Sequence, residues 1–253
     1  MKKILLFLWT GILLYSCTPQ ETPTTLKDKR DGKVYNTVTI GSQVWMAENL
    51  AYLPSVSSPD KGSGTKPHYY VYNFNGKSGF VAKFTTQYRD YGVLYNWAAA
   101  MAGSEGGDSS QGNVRGICPE GWHLPSDAEW EQLETYLAYN GYRYANVIGG
   151  TVRDKIAIAL ASVTGWSSSN EEGAPGNNDY PEYRAKSGFN ARPGGYRSTN
   201  GTFGGIDKYG NWWSSTEQVA AMAWSRFLFY DFDYVARGGN DKEYGFSVRC
   251  VKD

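Results

Sequence analysis

Two cysteine-bearing phrases constrain what this chain can fold into more than any other feature. Cys118 lies in GICPEGWHLPSDAEWEQL, just ahead of a capped helix, and Cys250 lies in GFSVRC, close to the last residue. A bond between them joins the start of a helix to the last strand and encloses the larger half of the molecule. In the entropic treatment, closing so long a loop restricts the unfolded chain by roughly 4–5 kcal/mol. Two separate buried thiols are the alternative. The redox compartment decides between them, so the first residues matter.

MKKILLFLWTGILLYSC opens with Lys2 and Lys3, continues through a short apolar stretch from Ile4 to Leu14, and closes on Leu14-Tyr15-Ser16-Cys17. The apolar run is too short to span a bilayer comfortably and has the flanks of a signal peptide. A cysteine directly behind it, followed by polar TPQETPTT, reads as the cleavage site of a bacterial lipoprotein. Tyr15 departs from the small or aliphatic residue usual there, and an ordinary secretory signal with an incidental cysteine is the other reading. The expected organisation is a signal peptide over residues 1–16, a lipid on Cys17, a flexible Thr-, Pro- and charge-rich tether over 17–31, and one domain over 32–253. No later stretch approaches the apolar length of a transmembrane helix. The implied location is the outer membrane, periplasm-facing or exposed at the cell surface, with the membrane a partner through the lipid. With Cys17 taken by the anchor, two cysteines remain, and an exported location favours a single Cys118–Cys250 disulfide. Their separation has no metal-ligand spacing, which argues against zinc.

Lys plus Arg and Asp plus Glu each number 25, so no net field favours nucleic acid or an anionic membrane surface. Twenty Tyr, nine Trp and thirty Gly point to short strands and long ordered loops instead of a helix bundle. In DGKVYNTVTIGSQVWMAENL, Val34, Val38 and Ile40 alternate with Tyr35, Thr37 and Thr39, and Gly41-Ser42 turns the chain back through Gln43–Met46, which predicts a hairpin with one buried face. Residues 54–68 form a polar loop, YYVYNFN a strand, GVLYNWAAAMAG a short buried helix from about Leu94 to Met101, and SEGGDSSQGNVRG another loop.

The strongest helix signal is PSDAEWEQLETYLAYNG, with Ser126 as N-cap and Glu129 three residues on as a capping box. Trp130, Leu133 and Leu137 share one face, Glu131 and Glu134 are expected to point outward, and Gly141 ends the helix. VRDKIAIALAS (152–162) predicts a second, weaker helix. Thr164 to Asp207 is dominated by Gly, Ser, Asn and Pro, with Phe189, Tyr196 and Phe203 giving it something to bury, so an ordered loop region is expected. GNWWSST, AMAWSRFLFYDFDYV and YGFSVRCV are strand candidates.

DGKVYNTVTIGSQVWMAENL, YGVLYNW, GICPEGWHLPSDAEWEQL, SGFNARPGGYR, GNWWSSTE and SVRCV, in this order, closely resemble the Fibrobacter succinogenes major paralogous domain, a family of exported bacterial domains, from about Asp31 to Asp253. The resemblance implies an envelope lipoprotein of a Bacteroidetes-like bacterium. A looser resemblance connects Cys118, Gly121, Leu124, Glu129 and Cys250 to the C-type lectin fold, in which a cysteine at the first helix pairs with one on the final strand. The second disulfide usual in such lectins has no candidates here. WHLPSDAEWE is also similar to a phrase of formylglycine-generating enzymes, which carry a variant of that fold. The implied fold is α+β: a C-type-lectin-like domain with small antiparallel sheets, about two main helices and a long irregular loop region.

Several chemistries compete. Thiol-dependent oxidation of the formylglycine-generating kind needs an accessible low-pKa cysteine, and Cys250 looks committed to Cys118. Of the two histidines, His123 ahead of the helix reads as structural and His68 lies in a loop, and there is no GxSxG elbow. Asp231 and Asp233 would share a strand face at period two, more simply read as a solvated face than as a glycosidase pair. NEEGAPGNND and GGND are oxygen-rich loops in which Asn178, Asp179, Asn240 and Asp241 are candidate calcium ligands, though such residues usually make turns. Trp212 and Trp213 on one strand point to opposite faces, and Trp166, Tyr180, Tyr183, Tyr196 and Trp213, with Glu217 beside them in WWSSTE, are candidates to line a groove. The function that follows is a non-catalytic binding module for glycan or protein. A structural or assembly component of the cell surface and a degenerate enzyme of the formylglycine-generating fold are the alternatives.

Overall fold

Alternating side chains and a tight Gly41-Ser42 turn bring β2 (Val34–Ile40) and β3 (Gln43–Met46) together as a hairpin, with Val38 opposite Trp45. The computed structural model describes residues 25–104 and 114–253; the signal peptide, Cys17 and most of the predicted 104–116 loop lie outside them. The hairpin grows into an antiparallel sheet of order β1-β2-β3-β12-β6, adding β1 (Thr25–Lys27), β6 (Trp122–His123) and β12 (Val251–Lys252). Residues 25–31 were expected in the tether, yet Leu26 packs into a core and Asp28 is buried against Arg30 at 2.7 Å, so the ordered domain starts before residue 32. The hairpin also differs from the single buried face expected. Tyr35 and Thr37 face one core while Val38 and Ile40 face another, and Val34 is left exposed, because both sides of the sheet are covered.

The chain then forms β4 (Tyr69–Tyr70), the short helices α1 (Gly79–Ala82) and α2 (Thr86–Tyr91), β5 (Leu94–Tyr95), which pairs β4, and α3 (Trp97–Met101). The helix expected from Leu94 starts only at Trp97, because the Asn96 side chain accepts from the Ala99 N–H and caps it there. Helix α4 (Asp127–Tyr139) has the predicted capping box: the Ser126 side chain takes the Glu129 N–H, and Glu129 takes the Ser126 N–H. It is the longest helix among the described residues, and no helix among them is long and apolar enough to cross a membrane. The second helix expected at 152–162 shrinks to α5 (Ala157–Leu160), which has no side-chain cap.

The predicted loop region contains its own hairpin, β7 (Gly194–Arg197) with β8 (Phe203–Ile206). Beyond it, β9 (Tyr209–Val219), β10 (Met222–Phe229) and β11 (Ala236–Asp241) make a three-stranded antiparallel sheet. GGND, expected as a loop, is therefore strand, with Asn240 opposite Ala223 and Asp241 opposite Met222. Asp231 and Asp233 fall in the turn after β10 and share no strand face; Asp233 accepts from the Tyr144 hydroxyl at 2.7 Å. Of YGFSVRCV only Val251 enters a strand, while Gly245, Phe246 and Ser247 make single bridges to Arg197, Tyr95 and Trp212.

Two cores result. Trp45, Trp130, Phe189 and Trp212 meet beneath α4, with Trp45 and Trp130 centroids 4.8 Å apart. Such ring pairs contribute about 0.5–1.5 kcal/mol beyond their area. The other core holds Trp97, Trp213, Phe246 and a Cys118–Cys250 disulfide with Cα atoms 5.9 Å apart.

Glu134, expected outward, is fully buried under α4, where Arg226 Nε donates to Oε1 at 2.6 Å. It sits four residues after Trp130 and so shares that residue's inward face. Arg226 also reaches Asp127 at 2.6 Å, and Arg237 joins Asp127 at 2.8 Å. Burial raises the Glu134 pKa to about 7 against the pull of Arg226, and Oε2 has no hydrogen-bond partner.

Candidate functional site: an aromatic groove

Strand alternation divides the β9–β10–β11 sheet into two unlike faces. Trp212, Arg226 and Leu228 face α4 and are buried. On the opposite face the register sets Asn211 across from Phe227 and Tyr209 across from Phe229, and β11 adds Asn240. Tyr196 of β7 and the returning chain at Tyr244 and Phe246 form the walls, enclosing about 230 Å³. Phe227, Phe229, Tyr196, Tyr209 and Tyr244 remain half-buried, so their rings are both supported and accessible.

The rings support one another. Tyr196 and Tyr209 lie nearly parallel, 6.2 Å apart with 12° between planes, and Tyr209 meets Phe229 edge-on at 5.3 Å. Gly204-Gly205 makes this possible. A Cβ at Gly205, where φ is +73°, would come within 2.3 Å of the Tyr209 ring. Two amides supply polarity: Asn211 Nδ2 donates to the Gly195 carbonyl at 3.0 Å, and Asn240 Nδ2 donates to Ser225 Oγ at 3.0 Å. Each leaves an amide oxygen free of any bond in which these nitrogens take part. Burial raises the Tyr196 pKa, so its phenol stays protonated at neutral pH. The lining holds no carboxylate, imidazole, ammonium or guanidinium group. Its chemistry is stacking and amide hydrogen bonding.

The residues expected to form one site are scattered. Tyr196 and Asn240 meet in the groove, the first as an aromatic wall and the second as an amide, while Asp241 Oδ1 accepts from the Glu243 N–H. Trp213 has no exposed surface; it packs on Phe246 at 4.5 Å and donates to the Tyr95 carbonyl, so no ring face is open to a ligand. Trp166 packs beside the α4 core. Tyr180 and Tyr183 sit elsewhere with Tyr144, whose ring lies 4.4 Å from that of Tyr180. Glu217 pairs with Lys242 at 2.5 Å. Asn178 and Asp179 are exposed, and Asp179 closes its own loop by accepting from the Gly173 N–H. Among the described residues no group of three or more His, Cys, Asp or Glu is placed to hold a metal ion. His123 is buried between Glu129 and Asp253, and His68 shares a hydrogen with Ser57.

Tyr209, Asn211, Phe227, Phe229 and Tyr244 escaped the sequence reading. FLF at 227–229 carried a usable signal, since Phe at i and i+2 around a buried Leu puts two rings on the face opposite the core. No curated protein and no solved structure matches the chain. The model of the Fibrobacter succinogenes major domain matches residues 38–252, and the chain belongs to that family.

Proposed function

We propose that this domain is a non-catalytic binding module that takes a glycan in the aromatic groove. The observation that carries the reading is the stacked Tyr196–Tyr209 pair beside Phe229, with the Asn211 and Asn240 amides at the floor and rim. Sugar C–H faces stack on aromatic rings while hydroxyls bond to amides, and a groove whose polar groups are amides and phenols, without a carboxylate or imidazole, suits holding a sugar better than cleaving it. The disulfide from the segment before α4 to the segment before β12, and the small sheets around it, support a C-type-lectin-like arrangement. The first 17 residues support a lipid on Cys17 that displays the module from the outer membrane.

Glycan-array binding of the purified protein, repeated with Tyr209→Ala and Phe229→Ala, tests this. We expect a reproducible glycan class that both variants lose while their near-UV and far-UV circular dichroism stay native. An array without hits, together with a protein partner captured equally by wild type and both variants, would refute it.

A further inference from the structure

A second cavity, sharing no residue with the groove, lies where β2, the segment after β3, the end of α2 and the 190–192 segment meet the chain just before β12. It encloses about 290 Å³ and is lined by Asn36, Asn49 and Asn190, the cations Lys33, Arg89, Arg192 and Arg249, and the carboxylates Glu48 and Asp90. The lining therefore carries two more positive charges than negative. Arg249 is fully buried, yet it has no carboxylate within ion-pair distance among the described residues. Its Nε donates to Asn49 Oδ1 at 3.1 Å, and its two terminal nitrogens donate to the Phe189 and Asn190 carbonyls. Those three neutral acceptors leave two of its five N–H groups over. Glu48 lines the same cavity but reaches Arg249 only through space, holding its pKa up, while its Oε1 accepts from the Asn36 N–H at 3.0 Å and from Asn36 Nδ2 at 2.9 Å. Burial lowers the Arg249 pKa to about 9, so the guanidinium is still charged at neutral pH. Buried cations are ordinarily paired. Arg226 has Glu134 and Asp127, and Arg197, which is held by carbonyls, lines neither cavity.

We propose that this cavity is a binding site for a small organic oxyanion, a carboxylate or phosphate of about monosaccharide size, seated against Arg249, which Asn49 Oδ1 holds in place, with Arg192 and Arg89 at its rim. The volume corresponds to roughly ten waters in the liquid, more than a bare halide fills. A guanidinium fork matches the paired oxygens of either group. This site is independent of the glycan groove, and neither proposal depends on the other.

Calorimetric titration and thermal shift of the full chain in low-chloride buffer, with glucuronate, acetate, inorganic phosphate and neutral glucose as probes, separate the possibilities. We expect saturable binding and a rising Tm with glucuronate or phosphate, whichever chemistry the site prefers, weaker binding of acetate, and none of glucose. Arg192→Gln combined with Arg89→Gln alters only the rim, and it should weaken the anion by about tenfold or more without changing the fold. Arg249→Lys keeps the charge, loses the fork and should weaken it as well. The proposal is overturned by no saturable response to any of the three anions, by an equal response to glucose, or by unchanged affinity in the rim double variant.

Discussion

Glu134→Gln should make the protein more stable than wild type in alkaline solution and leave it nearly unchanged in acid. Glu134 has no exposed surface, its Oε2 accepts no hydrogen bond and has only Arg153 at 4.0 Å, and its pKa is raised from 4.5 to about 7 by burial, with Arg226 and, more weakly, Arg153 opposing. In the unfolded chain it ionises near 4.5, so between 4.5 and 7 the native state holds a proton that the unfolded state has lost. Stability from this group is fully present below 4.5 and is lost as the pH rises through 7. The interval from 4.5 to about 7 corresponds to about 3 kcal/mol. Gln reproduces the shape of the protonated acid: its oxygen can still accept from Arg226 Nε, and it has no charge to desolvate. Urea titrations followed by tryptophan fluorescence at pH 4, 5.5, 7 and 8.5 give the difference between variant and wild type at each pH. That difference cancels titrating groups that do not interact with Glu134, His123 among them. We expect it to grow from near zero to about 3 kcal/mol, with an unchanged denaturant slope. A variant less stable than wild type at pH 8.5 would refute the reasoning, since it would mean that Glu134 is ionised and is the counter-charge Arg226 needs.

Three further outcomes follow from the same structure. Replacing Cys118 and Cys250 by Ala releases a loop spanning 132 residues and should lower stability by at most about 5 kcal/mol, measured by urea titration against the oxidised protein. The two histidines should titrate on opposite sides of 6.5 by NMR. Burial acts to lower His123, but its bonds to Glu129 and Asp253 outweigh that and raise it, whereas burial and nearby Arg197 lower His68; Asp253→Asn should bring His123 down, and stability from His123 should fade as the pH rises from 6.5 through its raised value. Gly205→Ala should displace Tyr209 and abolish groove binding while leaving the Trp213 environment intact, seen as lost ligand response with unchanged tryptophan fluorescence.

What the sequence made legible was local. Helix α4 could be read because Ser126, Glu129 and the Trp130–Leu133–Leu137 stripe all lie within one short window, and the capping box is in place. The β2–β3 turn could be read from Gly41-Ser42 for the same reason. Glu134 could not. Its burial depends on Arg226, 92 positions later on a strand, and no local pattern distinguishes a paired inward carboxylate from a solvated one. Asn240 and Asp241 were misread because GGND has turn composition, and the ladder to Ala223 and Met222 overrides that propensity. Tyr196, a candidate to line a groove, does line one, but its partners there have no local signal, since the Tyr209–Phe229 and Asn211–Phe227 pairings exist only once the β9–β10 register is known.

That register also explains why the groove is open at all. A shift of β10 by one residue against β9 would turn Arg226 and Leu228 outward and bring Phe227 and Phe229 under α4. Three observations hold the register in place: Trp212 packs against Trp130 and donates to Asn49, Arg226 is tied to Glu134 and Asp127, and Trp213 is pinned to the Tyr95 carbonyl on the other face. The buried charges therefore act on the site from across the sheet, since exchanging faces would drag a paired guanidinium out from beneath α4. Half-exposed rings held this way would lose little freedom to an arriving ligand, and such preorganisation is what the proposed groove needs in order to bind without a large buried area. A groove formed by loose loops would lack it. The walls here are a two-stranded hairpin and a chain bridged to Arg197 and Tyr95, so rigidity extends to the rim as well as the floor.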